Sequence, residues 1–246
     1  LINIAFRLNM LFKNELLWAS LIIFNFGVVL FAYRFFGKLG LYAWIGIAVI
    51  LANIQVLKTV ELFALVATLG NIIYGTTFLA TDILSEVYGK AEAKKAVFMG
   101  FFFMIGATAV MWICLQFVPH ISDFAQSSLE TIFAIMPRIA LGSLAAYLVS
   151  QLHDVWAFAF WKRIFSKPHQ LWIRNNLSTM VSQLIDSIIF CTVALLGLYE
   201  MNVWFQILLT TYILKLIVAA LDTPFVYIAR KIYFKYYKDK DKTAVI

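Results

Sequence analysis

Residues 96–119 read AVFMGFFFMIGATAVMWICLQFVP, without one Asp, Glu, Lys or Arg. As a helix rising about 1.5 Å per residue, that run is roughly 36 Å long, enough to cross a hydrocarbon core about 30 Å thick. Three other runs, 16–33, 39–57 and 62–81, each extend for at least eighteen residues without a charge. The rest of the composition agrees. Of 246 residues, 63% are hydrophobic and 13% charged, against about 45–50% and about 25% in soluble domains. A water-soluble globule is excluded. A β-barrel is excluded too, because its strands are roughly ten-residue segments of alternating polarity and these runs are continuous.

Three later runs carry ionisable groups: about 130–156 with Arg138 and Asp154, about 178–199 with Asp186, and about 203–223 with Lys215 and Asp222. The expected architecture is an all-α integral membrane protein, one domain over 1–246, built as a bundle of about seven transmembrane helices. No fixed-period repeat or soluble appendage is visible, and the longest connection, 157–177, reads as a loop that Pro168 helps to turn. The net charge of +7 raises the question of nucleic acid, but the basic residues lie between and after the apolar runs. Segments 34–38, 90–95, 162–174 and the tail from Arg230 onward hold fifteen of them, against Arg7, Lys13 and Lys58 on the other side. Basic loops stay cytoplasmic, so the C-terminus is expected inside and the N-terminus outside. The partners implied are membrane lipids and no nucleic acid. Arg7 and Lys13 precede an apolar run without a small-residue cleavage site, so a retained first helix is expected. Cys114 and Cys191 lie in apolar spans without metal-ligand spacing. They read as small core hydrophobes, and no metal or cofactor is expected. Tyr233-Phe-Lys-Tyr-Tyr-Lys238 interleaves aromatic and basic residues, as an interfacial anchor does.

A charge at mid-membrane costs about 2.5–3.5 kcal/mol on insertion scales, so each must face a partner, the bundle interior or water. Helical spacing groups them. Asn71, Gly75, Phe78, Asp82 and Glu86 recur at steps of three and four, as do Thr179, Ser182, Asp186 and Phe190, and Thr211, Lys215, Ala219 and Asp222. Three polar seams therefore point to a common central cavity. Asp186 and Lys215 come out at matching depth, about 10–12 Å from the cytoplasmic boundary, as a buried pair would. That pair reads either as a structural tie or as part of a binding cavity. On the fifth span Tyr147, Gln151 and Asp154 share one face, while Arg138, Gly142 and Ala146 take the other. The small residues permit close helix approach there. Arg138 reads equally as an anchor or a ligand-facing cation, His153 as an interfacial histidine, and Glu86 with Lys90, Lys94 and Lys95 as a solvated turn or a ligand edge. Enzyme chemistry finds no support: no H-E-x-x-H, G-x-S-x-G, P-loop or dinucleotide fingerprint occurs, and Ser143 and His153 are about 15 Å apart along one helix.

Four segments together resemble the queuosine precursor transporter family, membrane proteins described as vitamin-uptake-like. They are Thr81-Asp-Ile-Leu-Ser-Glu-Val-Tyr-Gly89 with the following Lys90-Ala-Glu-Ala-Lys-Lys-Ala-Val97, Arg138-Ile-Ala-Leu-Gly-Ser-Leu-Ala-Ala-Tyr147 with Gln151-Leu-His-Asp-Val155, Arg174-Asn-Asn-Leu-Ser-Thr-Met-Val-Ser-Gln183 leading to Asp186-Ser-Ile-Ile-Phe190, and Lys215 followed by Pro224. The matching region is roughly 48–230. The resemblance implies a bacterial inner-membrane importer of 7-deazaguanine bases such as 7-cyano-7-deazaguanine or 7-aminomethyl-7-deazaguanine, salvaged for tRNA modification. It also implies a core, about 39–230, similar to the six-helix substrate-binding subunits of energy-coupling-factor transporters. An extra first helix, about 15–34, departs from that core and favours a solitary carrier. The residues fit a purine-like ligand, whose edge offers paired N–H donors, carbonyl and ring-nitrogen acceptors and a flat face. Asn71, Phe78, Asp82, Tyr147, Gln151, Gln183, Asp186, Phe190 and Lys215 supply the complementary groups, with Glu86, Arg138 and Asp154 completing the candidate set. Competing readings are the binding subunit of an ATP-driven vitamin transporter and a non-transporting membrane scaffold. A homo-oligomer and an ATP-driven energising module are left open as partners.

Overall fold

The computed structural model describes residues 2–165 and 171–238. Helix α1 is assigned over Ile2–Gln55, roughly 80 Å if straight, far longer than one crossing. It is not straight. Gly37 sits at φ 60°, ψ −143°, and breaks it. Beyond that break the chain turns back on itself, and a Cβ on Gly40 would lie 2.4 Å from the carbonyl oxygen of Ala32. The positive φ suits glycine because no Cβ opposes it. A side chain at Gly37 would also press on the ring of Tyr237, 3.0 Å away.

After α1 come a two-stranded antiparallel hairpin, β1 (Thr59–Leu62) and β2 (Leu65–Thr68), then α2 (Gly70–Tyr88) and α3 (Lys90–Cys114). The short α4 (Gln126–Phe133) leads to α5 (Met136–Ile164), then α6 (Leu171–Phe190), which ends in a π-helical turn, Cys191–Leu195, and finally α7 (Met201–Tyr236). The hairpin corrects the sequence reading of 62–81 as one span. Absence of charge does not distinguish a buried strand from a helix. Here backbone groups of β2 find partners on α7: Val66 N–H donates to Gln206 Oε1 at 3.0 Å, and Val66 C=O accepts from Thr210 Oγ1 at 2.9 Å. The expected loop 157–177 is also shorter than read, since α5 continues to Ile164 and α6 begins at Leu171. Pro168 lies outside the described residues.

Packing separates two clusters. The larger joins α1, α2, α3 and α7 through residues such as Phe26, Ile45, Leu79, Ile83, Met104 and Leu214. The smaller gathers Val56, Met136, Ile139, Cys191, Leu195, Trp204 and Ile207 around the π-helical turn. Outward-facing positions are apolar as well, including Phe24, Phe31, Phe102, Ile105, Trp112 and Phe205. Such a surface needs lipid around it. Among the described residues, four helical stretches are long and apolar enough to cross a membrane, Lys13–Gln55, Lys90–Cys114, Gln126–Ser150 and Met201–Tyr236, with Met180–Leu195 a shorter apolar helix. The fold is that of an all-α membrane protein with one small hairpin.

Candidate functional site

Between the helices lies a partly open cavity with about 390 Å³ of free space, counting the part that opens outward. The part of α1 after Gly37 contributes Ala52, Asn53 and Val56; α2 contributes Gly70, Asn71 and Tyr74; α5 contributes Ser143 and Ala146. Asp186 and Phe190 enter from α6, and Lys215 from α7. Helical spacing accounts for the α2 set, because Asn71 and Tyr74 fall on one face, one turn apart.

The electrostatic centre is an ion pair. Lys215 Nζ meets Asp186 Oδ2, with both residues less than 10% exposed. Ser150 Oγ donates to the other carboxylate oxygen at 3.4 Å. The same ammonium lies 5.7 Å from the ring centroid of Tyr74, within range of a cation–π attraction. The walls are ordered by further hydrogen bonds. Asn71 Nδ2 donates to Thr68 Oγ1 at 3.1 Å and to Thr211 Oγ1 at 3.0 Å, linking the end of β2, α2 and α7. With both amide hydrogens engaged, Asn71 has its Oδ1 acceptor left to offer. Asn53 Nδ2 donates to Val49 C=O at 2.7 Å, and its Oδ1 accepts from Ser143 Oγ at 3.3 Å. One turn beyond Ser150, His153 Nδ1 and Ser182 Oγ are 3.0 Å apart, a second tie between α5 and α6.

Of the residues singled out from sequence, Asn71, Asp186, Phe190 and Lys215 line this cavity. Phe78 stands behind it, its ring edge-on to Tyr74 at 5.3 Å, and Tyr147 is half-buried with its ring 5.1 Å from that of Phe101. Gln183 is half-buried on α6, and its Oε1 is buried without a hydrogen-bond partner among the described residues. Asp82 and Glu86 lie at the other end of α2 and are exposed, Glu86 facing Arg230 at 3.4 Å. Arg138 is outside the cavity lining. Its Nε donates to Val193 C=O at 2.8 Å and a terminal nitrogen donates to Leu196 C=O, so it braces the π-helical turn against α5. Gly142 lies where close approach was expected: a Cβ there would stand 3.0 Å from that of Ala194. The side chains of Gln151 and Asp154 lie outside the described residues. Sequence reasoning missed Tyr74, Asn53 and Ser143. Tyr74 falls one turn from Asn71 on the same seam, a signal that was available. Asn53 was visible, with Gln55, as one of two amides in the apolar run 39–57.

Fold and cavity together define a multi-pass helical membrane protein with a pocket between its helices that holds a buried ion pair. Residues 68–229 match the family described as "Putative vitamin uptake transporter". The chain is 50% identical over 218 residues to the "Probable queuosine precursor transporter" of Bacillus subtilis (strain 168), covering 89% of this chain and 95% of the relative. It is 26% identical over 162 residues to the protein of the same name from Haemophilus influenzae (strain ATCC 51907 / DSM 11121 / KW20 / Rd), covering 63% and 65%. The chain belongs to the vitamin uptake transporter family. No solved structure gives a significant match to it.

Proposed function

We propose that this chain is a carrier that imports queuosine precursors, 7-deazaguanine bases, and that the chamber around Asp186 and Lys215 is where it holds them. The observation that carries this reading is the buried ion pair inside a cavity, in a chain half identical to a relative named for queuosine precursors. A flat heterocycle suits the surroundings. Asp186 accepts paired N–H donors, Lys215 and the Asn71 carbonyl address a ring carbonyl and N–H groups, and Tyr74 and Phe190 offer faces for stacking. A ligand that brings its own donors and acceptors can part Lys215 from Asp186 without leaving either charge unsatisfied.

In this reading the two arms of α1, with α2, α3, α5, α6 and α7, are the seven crossings expected from the sequence. The basic segments then lie on the cytoplasmic side of a bacterial plasma membrane, with the N-terminus outside and the C-terminus inside. Alternating access around the chamber moves the base inward, and the chain works without an energising ATPase. The test is thermal unfolding of the detergent-purified protein with guanine, 7-cyano-7-deazaguanine, 7-aminomethyl-7-deazaguanine, queuine and biotin, because a ligand that binds only the folded state raises its stability. Stabilisation confined to the deazaguanines is expected, followed by their uptake into liposomes holding this chain alone. Stabilisation by biotin, or by none of the panel, overturns the substrate assignment.

A further inference from the structure

The connection from α3 through α4 has the wrong polarity for a loop in water. Phe117, Val118, Ile121 and Phe124 are 73%, 93%, 98% and 93% exposed. The polar side chains of the same segment are turned back onto it. Asp123 Oδ1 accepts from the backbone N–H of Ala125 at 2.6 Å and of Gln126 at 3.0 Å. His120 Nδ1 and Ser122 Oγ are 2.8 Å apart, and Gln126 Nε2 donates to Leu115 C=O at 3.4 Å and to Glu130 Oε1 at 2.8 Å. These bonds hold the turn in shape, so the apolar side chains are displayed by a braced segment. In water that arrangement leaves four large apolar side chains almost fully exposed on one short segment, an area that the usual economy of a protein surface covers.

We propose that residues 115–133 form an in-plane membrane anchor, with Phe117, Val118, Ile121 and Phe124 sunk into the acyl chains of the leaflet nearest this end of the bundle. Three observations commit the surface to lipid. The segment runs from α3, which is apolar enough to cross a membrane, into α5, which holds most of the apolar stretch Gln126–Ser150, so a leaflet is within reach. Helix α4 has no buried residue and is amphipathic, tethered at its end where Phe133 and Ile135 pack on the smaller core cluster. That is the character of an interfacial helix lying along a bilayer surface. Finally, no Lys or Arg occurs between Lys95 and Arg138. The charges of the segment are the carboxylates Asp123 and Glu130, so the attraction is burial of apolar area and owes nothing to anionic headgroups. The inference requires only that the flanking helices cross the membrane and is independent of the substrate.

The test uses the full chain with Cys114→Ala, leaving the buried Cys191, and single cysteines placed by Val118→Cys, Ile121→Cys, Phe124→Cys, Ser122→Cys and Ser127→Cys. Positions this exposed have little protein contact to lose, so the variants fold. Each is labelled with bimane and reconstituted in phosphatidylcholine with or without bromine on the acyl chains. Quenching by brominated lipid about twofold or more stronger at 118, 121 and 124 than at 122 and 127 is expected, unchanged when phosphatidylglycerol replaces part of the phosphatidylcholine. Equal quenching at all five positions overturns the proposal, as does quenching of 118, 121 and 124 by aqueous iodide instead. Protection from both quenchers together with disulfide cross-links between copies at Ile121→Cys assigns the face to a second copy and also overturns it.

Discussion

Lys215 and Arg138 are both cations set in apolar helices, and the protein handles them in opposite ways. Lys215 ends inside a cavity against a carboxylate from another helix. Arg138 ends on two main-chain carbonyls, those of Val193 and Leu196. Those carbonyls lie in and just after a π-helical turn, where the regular i to i−4 bonding of an α-helix is interrupted and acceptors need other donors. Trp204 Nε1 serves the same turn, donating to Cys191 C=O at 2.9 Å. A carbonyl in the main chain cannot be exchanged, so Arg138 is a brace. A side-chain carboxylate facing open space can trade its partner for a ligand, so the Lys215 pair is the one suited to binding.

The largest expected effect follows from separating the members of that pair. Asp186→Asn leaves a buried ammonium without its counter-ion, a change that costs about 3–5 kcal/mol in buried pairs. Lys215→Met, leaving the carboxylate, is expected to be comparably destabilising. Combining the two removes both charges, and the double variant should recover most of the lost stability, since replacing an intact buried pair by neutral groups is often close to neutral. Thermal unfolding of the four proteins closes the cycle. If the double variant falls by the sum of the single losses, the pair is not energetically coupled. If it keeps its stabilisation by deazaguanines, the chamber is not their site.

Arg138 gives the intermediate case. Arg138→Lys keeps the charge but loses the planar fork that reaches two carbonyls at once. The expected cost is about 1.5–3 kcal/mol, the range for hydrogen bonds to charged groups. The further rise in unfolding temperature with a deazaguanine should be the same as in the unaltered protein, because the brace lies outside the cavity lining. A variant of normal stability that has lost the ligand effect would reverse the comparison and make Arg138 the ligand-facing cation.

The contrast between these sites also marks what could be read from sequence. A charge within an apolar run is visible at once, and helical spacing put Asp186 and Lys215 at one depth, where the structure pairs them. Tyr74 escaped because the seam on α2 was traced through Asn71, Gly75 and Phe78, steps of four and three. The steps of three and four through Asn71, Tyr74 and Phe78 describe the same stripe and include the lining residue. Gly75 instead lets α2 approach α7, where a Cβ would lie 2.4 Å from Val218 Cγ1. Asn53 and Ser143 meet across the cavity wall, but each is a single neutral polar residue with no periodic neighbour to announce it. The hairpin was hidden for a different reason. Its strands are fixed by Gln206 and Thr210, about 140 residues further along the chain, and no local pattern carries that information.

The smallest expected effect lies at the other end of α2, where the seam that begins in the chamber emerges at the surface. Glu86 and Arg230 are 3.4 Å apart, with side chains 50% and 53% exposed. A solvent-exposed pair of this kind contributes about 0–1 kcal/mol and is weakened by salt. Glu86→Gln should therefore shift stability by no more than that, and the shift should shrink as salt is raised, while the chamber variants keep their losses because buried charges are poorly screened. The rise in unfolding temperature with a deazaguanine should persist in Glu86→Gln at both salt concentrations. If that rise disappears while the protein remains folded, the ligand interacts with the full length of the α2 seam. The chamber around Asp186 would then be one station of a path running out past Asp82 to Glu86, and the division between a buried binding end and a solvated end of this helix would have to be given up.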